Sequence, residues 1–376
     1  MKIGIVTEYY YPLLGGITEH VHNTKIEFEN MGHEVKIITS NCNSPQFAVH
    51  KKPAPSESDV IRIGRSVPIY SNGSFAQLTV GARLRQRMRY VLETERFDLL
   101  HLHSPIVVTL PPLAILESHC PLVGTFHTYF DRSLIYHFLR KSAQRTIDRL
   151  AGQVAVSRNC LDALGRYFEL RARVIPNGVD TRRFSPDAAP LDRFDDGKMN
   201  LLFLSRFDPR NGLAFMLRAF AVVKAAFPAV RLIVVGDGLL RSYYKRLVPG
   251  WLAADVHFEG LARDSRPSYY ASCHVFCSPI TKASFGVSLL EAMASGKPIV
   301  ATTNKGYAEL LGTDEGFLVP PGDPDAFARK ILHLLADERL RAEMGAHGRT
   351  KALRYSWDLV AAQITDYYAE ILNGSG

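Results

Sequence analysis

Short apolar runs alternate with polar loops and helical stretches along almost the whole chain. In the first half the apolar runs are KIGIV, HEVKIIT, LLHLH, PLVGTF, QVAVS and ARVIP. The pattern then restarts with NLLFLS, VRLIVVGDG, VHFEG, HVFCSP and PIVATT. Strands that alternate with helices are typical of βαβ units in a doubly wound parallel sheet. The pattern therefore predicts an α/β protein with two Rossmann-like domains in tandem.

The segment FSPDAAPLDRFDDGKM separates the two halves and is rich in Pro and Asp, which predicts a linker. We accordingly place the first domain at 1–185 and the second at 195–356. The last stretch, YSWDLVAAQITDYYAEIL, has the apolar spacing of a helix. Ligands of open α/β sheets bind outside the carboxyl ends of the strands, so two such sheets facing each other would form a cleft lined by the loops after strands.

Composition fits this interpretation and restricts the class of protein. The 376 residues suit two domains, and 47% are hydrophobic against 22% charged. We expect neither a membrane span, since no run of about 18 apolar residues occurs, nor a signal peptide at MKIGIVTEYYYP. The odd, scattered cysteines favour reduced thiols over zinc or disulfides, and hence the cytoplasm. They are Cys42, Cys120, Cys160, Cys273 and Cys277.

The net charge of +8 suits anionic partners, such as nucleic acid, anionic lipid headgroups or phosphorylated ligands. Solubility alone is the simpler explanation of this charge. No nucleic-acid-binding motif is recognisable, so we expect no nucleic acid partner.

Two strand-end loops of the first half carry candidate residues. After the first strand, Gly15 and Gly16 precede a helical pattern that starts at about Glu19, and paired glycines let backbone amides approach a phosphate or a sugar. The loop lacks GxGxxG, which weakens the case for a nicotinamide dehydrogenase. His127 follows the strand in VGTFHTYF, so its imidazole would face the cleft.

In the second half, Arg206 and Arg210 follow the first strand in LFLSRFDPRNG, and their planar donors suit a diphosphate. Gly236 begins the turn GDG after VRLIVV. Asp323 and Asp325 in PPGDPDAFARK fit a helix N-cap better than a metal site.

The stretch KASFGVSLLEAMASG predicts a short helix that Ser284 caps, that Phe285 and Gly286 begin and that Gly296 ends. Backbone amides at such an N-terminus form an anion site. Glu291 lies about two turns along, among apolar and small side chains. A carboxylate there is unfavourable unless it is hydrogen-bonded or faces solvent, and the two vicinal hydroxyls of a ribose could supply the bonds.

Together these residues resemble the family 4 retaining glycosyltransferases of the GT-B fold. The similarity includes the early GG, FHT, AVSR, IPNGVD, SRFDPRNG, GDG, SFGVSLLEAMASGKPIV and the SW of the final helix. YSNGSFAQL, FDLLHLHSP and GTFHTYFDRSL are most similar to phosphatidylinositol mannosyltransferases.

The resemblance implies a nucleotide sugar held mainly by the second domain, no metal or other cofactor, and a last helix, 357–376, that crosses back to complete the first domain. His127 would lie beside the sugar, Arg206 would bind the diphosphate, and Glu291 would bind the ribose. The implied catalytic residues are His127 and Arg206. The implied donor-binding residues are Gly15, Gly16, Arg206, Arg210, Gly236, Ser284, Phe285, Gly286, Val287 and Glu291.

The sequence departs from the family pattern on both sides of the reaction. Ala283 stands where a sugar-binding Glu is usual, and Asn211 stands where a Lys is usual; Arg210 or Lys282 could compensate. Gln77 replaces an acceptor-phosphate arginine, which leaves the acceptor open. The implied acceptor-binding residues are Tyr9, Thr18, Tyr70, Asn72 and Ser74.

The stretch GARLRQRMRYVLE places Arg83, Arg85, Arg87 and Arg89 on a helix whose counterpart in the resembling enzymes contacts anionic lipid. Each basic residue near an anionic membrane contributes about 1 kcal/mol. A solvated helix face is the alternative.

The sequence thus predicts a metal-independent, retaining hexosyltransferase that uses a donor of the GDP-mannose or UDP-glucose type. We expect the acceptor to be a lipid or lipid-linked glycan, and the protein to be cytoplasmic and peripheral at the inner face of the plasma membrane. Two alternatives stay open. One is a GT-B sugar-nucleotide epimerase or hydrolase, and the other is a non-catalytic scaffold or binding subunit, for which Ala283 is the main argument.

Overall fold

The computed structural model describes residues 1–13, 15–42, 57–71, 74–106, 109–130 and 133–374. The chain divides into two compact units. Unit 1 comprises Met1–Asn177 and Trp357–Gly376, and unit 2 comprises Gly178–Ser356.

Unit 1 is built on a sheet in which the described residues form eight strands, in the order β4-β3-β2-β1-β5-β6-β7-β8. All neighbours pair in parallel except β3 and β4, which pair antiparallel at one edge. The strands are β1 (Lys2–Val6), β2 (Glu34–Asn41), β3 (Val60–Ser71), β4 (Ser74–Val80), β5 (Leu99–His103), β6 (Leu122–Phe126), β7 (Gly152–Ala155) and β8 (Arg173–Val174). The hairpin of β3 and β4 is absent from the sequence prediction.

Helices cover both faces of this sheet. One apolar core lies under the helices that follow β4, β5 and β6, and the other lies under the first and last helices of the unit. The helices are α1 (Gly16–Asn30), α2 (Leu84–Glu95), α3 (Leu110–Glu117), α4 (Leu134–Ile147), α5 (Arg158–Gly165) and, from the C-terminus of the chain, α13 (Trp357–Asn373). The last helix thus belongs to unit 1, against α1 and β7.

Unit 2 is built on a parallel sheet of six strands within the described chain, in the order β11-β10-β9-β12-β13-β14. The strands are β9 (Met199–Leu204), β10 (Val230–Val235), β11 (Val256–Gly260), β12 (Val275–Ser278), β13 (Ile299–Thr302) and β14 (Gly316–Val319). The helices are α6 (Leu213–Ala226), α7 (Arg241–Arg246), α8 (Arg266–Ser272), α9 (Val287–Ala294), α10 (Lys305–Leu310), α11 (Pro324–Ala336) and α12 (Glu338–Ala352). Strands such as β10 are buried over their full length, which explains why they read as unbroken apolar runs.

The boundary between the units differs from the sequence prediction. Unit 1 ends at Asn177 rather than at residue 185, and the segment taken for a linker packs as part of unit 2. Phe184 and Phe194 are buried in the core of unit 2, and the Val179 backbone N–H donates to the carbonyl of Tyr355. These apolar anchors outweigh the Pro- and Asp-rich composition from which a linker was predicted.

Candidate functional site

The loop after β1 leads directly into helix α1. Gly15 is the N-cap residue, and α1 begins at Gly16 rather than at Glu19. The φ of Gly15 is 169°, which is extended backbone, and a Cβ built on Gly15 meets no described atom within 4 Å. The packing around Gly15 therefore does not demand a glycine. Gly15, as a glycine, offers no side chain to cap the first N–H groups of α1. The N–H groups at the start of α1, called here the cradle of Gly15 and Gly16, are donors of the kind that bind an anion or a sugar at a helix N-terminus.

Tyr9 and Thr18, two of the implied acceptor residues, lie on either side of this cradle in the chain. Thr18 is buried in the first turn of α1. The Tyr9 hydroxyl accepts a hydrogen bond of 3.2 Å from the backbone N–H of Gln77 in β4. The Gln77 side chain is buried and accepts a hydrogen bond of 2.6 Å from Ser66. Gln77 therefore serves to hold β3 and β4 together, at the position where the family pattern has a phosphate-binding arginine.

The other implied acceptor residues lie at the turn between β3 and β4. Tyr70 is near the end of β3, and Ser74 begins β4, where it pairs with Ser71. Asn72 lies outside the described residues.

Glu8 is a buried carboxylate that sequence reasoning did not single out. Its Oε1 accepts hydrogen bonds from the backbone N–H groups of Thr109 and Leu110, at 2.9 and 2.7 Å, and its Oε2 accepts one from the Thr79 hydroxyl. Burial raises the pKa of Glu8 even though these hydrogen bonds act in the opposite direction. Glu8 thus fixes the loop after β1 to the start of α3 and to β4.

His127 lies directly after β6, at the carboxyl end of the strand as the sequence predicted. Its Nε2 is 2.8 Å from Nδ1 of His103, the last residue of β5. One of these two nitrogens must carry the proton that the other accepts, so the tautomers of the two imidazoles are coupled.

His103 and His127 belong to a column of buried imidazoles. The ring of His101 stacks on that of His103 with centroids 4.6 Å apart, and His103 stacks on His127 at 5.0 Å. His20 from α1 packs edge-on against both His103 and His127 at 5.1 Å. Four imidazoles from three elements therefore meet beside the end of β6.

The two ends of the column are held by α13 and by Asn177, the last residue of the first segment of unit 1. Nδ1 of His101 is 2.5 Å from the Tyr368 hydroxyl of α13, and Nδ1 of His20 is 2.9 Å from Oδ1 of Asn177. Trp357, the first residue of α13, packs edge-on against His20 with centroids 5.2 Å apart. The last helix of the chain thus holds the histidine column in place.

Burial lowers the pKa of all four histidines. The pKa falls to about 4 for His20 and to about 3 for His101. It falls well below the ordinary value for His103 and His127, where burial acts first and neighbouring imidazoles add to it. The column is therefore neutral at physiological pH, so His127 can donate or accept a hydrogen bond but brings no positive charge.

Sequence reasoning found only one member of this column. A signal was present in LLHLH, where His101 and His103 alternate along a strand and so share one face. His20 carried no comparable signal, because its place beside His127 depends on how α1 packs on the sheet.

The four arginines predicted to bind a membrane lie in and before α2, but they are not equivalent. Arg85 and Arg89 both bind the carboxylate of Glu117 in α3, the latter at 2.6 Å. Hydrogen bonds from Arg89 and Arg85 lower the pKa of Glu117. Arg83 and Arg87 are exposed, and Arg83 caps the helix with a left-handed φ of 54°. The basic face is thus narrower than the sequence suggested.

In unit 2, Arg206 and Arg210 lie in the loop between β9 and α6. The half-exposed Arg206 places its Nη2 3.0 Å from the Asp208 carboxylate. Nδ2 of the buried Asn211 donates to the Arg206 carbonyl at 2.8 Å, and the Arg210 carbonyl accepts from the Thr281 backbone N–H at 3.2 Å. Asn211, at the position where a lysine is usual, therefore braces the loop that carries Arg206.

Two glycines allow the strand-end loops of unit 2 to approach one another. Gly236 has φ +139°, and a Cβ there would lie 1.9 Å from the carbonyl oxygen of Ser205. Gly212 has φ +78°, and its Cβ would lie 2.3 Å from the carbonyl oxygen of Pro279. The loops after β9, β10 and β12 are packed together at backbone distance, which only glycine permits.

The start of α9 differs from the sequence prediction. Gly286, not Ser284, is the N-cap residue, so the helix begins at Val287 and the buried Phe285 precedes it. The φ of Gly286 is +139°, a conformation that glycine adopts readily and serine does not, so the backbone rather than the hydroxyl determines the cap. The helix ends before Gly296, whose φ of +67° agrees with the prediction.

Glu291 lies inside α9 with 3% of its surface exposed. Its Oε1 is 3.0 Å from Nη1 of Arg266, and its Oε2 accepts a hydrogen bond of 2.9 Å from the Tyr270 hydroxyl. Arg266 and Tyr270 are four residues apart in α8 and so share one face of that helix. The chain itself therefore supplies a countercharge and a hydrogen bond, where the sequence suggested only a ribose.

Asp323 caps α11, as the sequence predicted, by accepting a hydrogen bond of 2.8 Å from the Ala326 N–H. Among the described residues, no group of three or more His, Cys, Asp or Glu could hold a metal ion. Nor is any described helix long and apolar enough to cross a bilayer. All five cysteines are free, and Cys160, Cys273 and Cys277 are buried.

Comparisons with known proteins follow the same two-unit division. Residues 14–183 match the sequence model of the family described as Glycosyltransferase Family 4, and residues 198–337 match the one described as Glycosyl transferases group 1.

Two relatives match along the whole chain. The phosphatidyl-myo-inositol mannosyltransferase of Mycolicibacterium smegmatis is 34% identical over 384 residues, covering 100% of this chain and 95% of the relative. The enzyme of the same name from Mycobacterium tuberculosis is 35% identical over 388 residues, covering 100% and 98%. Among solved structures, HepE of Anabaena in complex with UDP and glucose has a TM-score of 0.76 at 20% identity, covering 98% of this chain and 99% of that one.

Proposed function

The chain belongs to the family 4 glycosyltransferases and has their GT-B fold, and on this premise we propose that it transfers a hexose, with retention of configuration, from a nucleotide-diphosphate sugar to a lipid or lipid-linked glycan. The observation that carries the proposal is the full-length identity of 34% with a phosphatidyl-myo-inositol mannosyltransferase. That relative's name specifies a mannosyl group and a lipid acceptor. GDP-mannose is therefore the first donor to test and UDP-glucose the second.

Unit 2 supplies the donor contacts in this proposal. Arg206, on the loop braced by Asn211, binds the diphosphate, and the N-terminus of α9 at Gly286 offers it backbone donors. Glu291 accepts hydrogen bonds from the ribose hydroxyls while Arg266 keeps its charge compensated. The guanidinium and the helix end would both stabilise the charge that develops on the leaving diphosphate.

Unit 1 supplies the cradle of Gly15 and Gly16 and the neutral imidazole of His127. In a retaining transfer the leaving phosphate can take the acceptor's proton on the same face of the sugar, so the protein mainly positions groups and stabilises charge. A neutral His127 suits that task because it can hydrogen-bond a sugar hydroxyl without adding charge. The proposal requires no metal ion. It places the protein in the cytoplasm at the inner membrane face.

A second candidate function rests on Ala283. The family pattern has a sugar-contacting Glu at this position, and a methyl group cannot replace its hydrogen bond. A non-catalytic binding or scaffold subunit would keep the fold without that contact. If A283E creates transfer that the natural sequence lacks, the scaffold interpretation is correct.

The experiment is a thermal melt with GDP-, UDP- and ADP-sugars and with the bare nucleotides. A ligand at a hundredfold its dissociation constant stabilises a protein by about 2.7 kcal/mol, which shifts the midpoint visibly. E291Q should weaken binding of the effective donor by about tenfold or more, because a neutral amide makes weaker hydrogen bonds with the ribose hydroxyls than a carboxylate does.

The matched control is E315Q. Glu315 is another buried carboxylate of unit 2, paired with Lys351 at 3.1 Å, and its loss should lower the midpoint without changing the shift caused by the donor. A chain that responds to no nucleotide, or an E291Q variant with unchanged donor affinity, would contradict the proposed donor site.

A further inference from the structure

Helix α4 carries large apolar side chains on its solvent side. Leu134 is 77% exposed and Phe138, one turn later, is 80% exposed. Leu139 beside them is also exposed. Several large apolar side chains exposed together usually mark a binding surface.

Two cations project from the same side of α4. Successive residues of a helix are rotated by about 100°, so Leu134, Phe138, Lys141 and Arg145 lie on one face. Lys141 and Arg145 are exposed, and within the described chain no carboxylate forms an ion pair with either of them. The opposite face of the helix is buried and consists of Tyr136, Ala143 and Ile147. The outward face thus has an apolar half followed by a cationic half.

We propose that this outward face of α4 docks the protein on an anionic membrane surface. Leu134 and Phe138 enter the boundary between headgroups and acyl chains, and Lys141 and Arg145 bind lipid phosphates. An exposed amphipathic helix with apolar and basic residues has the composition of an in-plane membrane anchor. The net charge of +8 favours the same anionic partner.

Helix α2 lacks part of what such an anchor needs. Two of its arginines are engaged by Glu117, and Tyr90 is the one large apolar side chain exposed on α2 among the described residues. Arg83 and Arg87 can add attraction to an anionic surface, whereas α4 provides the apolar contacts that insertion requires.

The position of α4 connects docking to the site. It begins seven residues after His127, and Tyr136 on its inward face lines the same small cavity as His127. Docking through α4 would hold the cavity beside His127 about one helix diameter, roughly 10 Å, from the membrane surface in which a lipid acceptor lies; this consequence rests on the proposed function, whereas docking itself does not.

The test measures co-sedimentation of the full chain with vesicles of phosphatidylcholine, with and without phosphatidylglycerol. We expect binding to the anionic vesicles that L134S/F138S weakens by about tenfold or more, and that K141S/R145S reduces toward the level seen with phosphatidylcholine alone. The matched control is L239S/W251S, since Leu239 and Trp251 are 65% and 61% exposed in unit 2. All substituted positions are exposed, and equal melting midpoints verify folding.

Three results would overturn the proposal: unchanged vesicle binding by L134S/F138S, an equal loss in L239S/W251S, or patch-dependent self-association in ultracentrifugation without vesicle binding. The donor melts described above do not involve vesicles, so failure of docking and failure of the glycosyltransferase assignment are distinguishable. If both hold, L134S/F138S should lose transfer to an acceptor in vesicles and retain it with a detergent-dispersed acceptor.

Discussion

Acid should unfold unit 1 through its buried histidines. An imidazole in an unfolded chain titrates near pH 6.5, whereas burial lowers the pKa of His20 to about 4 and that of His101 to about 3. Between these values the unfolded chain binds protons that the folded chain does not. The free energy of unfolding is therefore unaffected well above pH 6.5 and falls as the pH is lowered toward the folded pKa values.

The size of the effect follows from these pKa values. Lowering the pH from about 7.5 to about 5 reduces the free energy of unfolding by about 2 kcal/mol for each of these two histidines. Burial lowers the pKa values of His103 and His127 in the same direction, so their loss adds to the about 4 kcal/mol of His20 and His101 together. That is comparable with the whole stability of a domain, about 5–15 kcal/mol.

Urea unfolding at the two pH values provides the assay. The chain has two tryptophans, the exposed Trp251 and the buried Trp357 beside His20, so a W251F background makes fluorescence report on unit 1. H20Q should lose about 2 kcal/mol less than the parent between about pH 7.5 and pH 5, whatever its stability at the higher pH. H119Q, which removes an exposed imidazole of the same unit, controls for the substitution. An equal loss in H20Q and the parent would refute a buried, neutral His20.

Three further substitutions test the loops that hold the site. G236A should lower the free energy of unfolding by about 2–4 kcal/mol in urea, since its Cβ would meet a backbone carbonyl at 1.9 Å; a smaller change than about 1 kcal/mol would mean that the loops can separate easily. E8A should lose about 2–4 kcal/mol in the same assay because three hydrogen bonds vanish. E8Q can keep the two bonds from the backbone N–H groups through its amide oxygen, and its NH₂ can donate to the Thr79 hydroxyl, so it should stay within about 1 kcal/mol of the parent; equal losses would contradict this role of Glu8. N211A should weaken donor binding severalfold in the melt series by loosening the loop of Arg206, and unchanged affinity would show that Asn211 does not brace it.

The parallel sheets could be predicted from the sequence because their strands are buried on both faces. VRLIVV is buried at every position, and such runs are recognisable without any knowledge of the partners. The β3–β4 hairpin lies at an edge of the sheet of unit 1. Residues of β3 are partly exposed there, so the strand does not form the unbroken apolar run that marks a buried strand in the sequence. The predicted linker failed for a related reason: two phenylalanines, Phe184 and Phe194, bury a segment whose average composition is that of a loop.

The candidate site was predictable where a residue's place follows from its own strand. His127 and Arg206 both follow strands, and the structure places them there. The partners of Glu291 were not predictable, because Arg266 and Tyr270 lie on a different helix more than 20 residues earlier. The cap of α9 was misassigned because residue type favoured Ser284, while the backbone requires a glycine at Gly286. Long-range packing and backbone conformation account for most of what sequence reasoning missed.

The return of α13 to unit 1 has a consequence for the order in which the protein matures on the ribosome. Unit 2 is complete in sequence once Ser356 has been added, whereas unit 1 still lacks the helix that covers His20 and His101. Unit 1 therefore cannot be completed until the whole of unit 2 has been synthesised, because Trp357 and Tyr368 follow unit 2 in the chain. Until these residues emerge from the ribosome, no part of α13 covers His20 and His101. A nascent chain released before Trp357 would therefore carry a complete unit 2 and an incomplete unit 1.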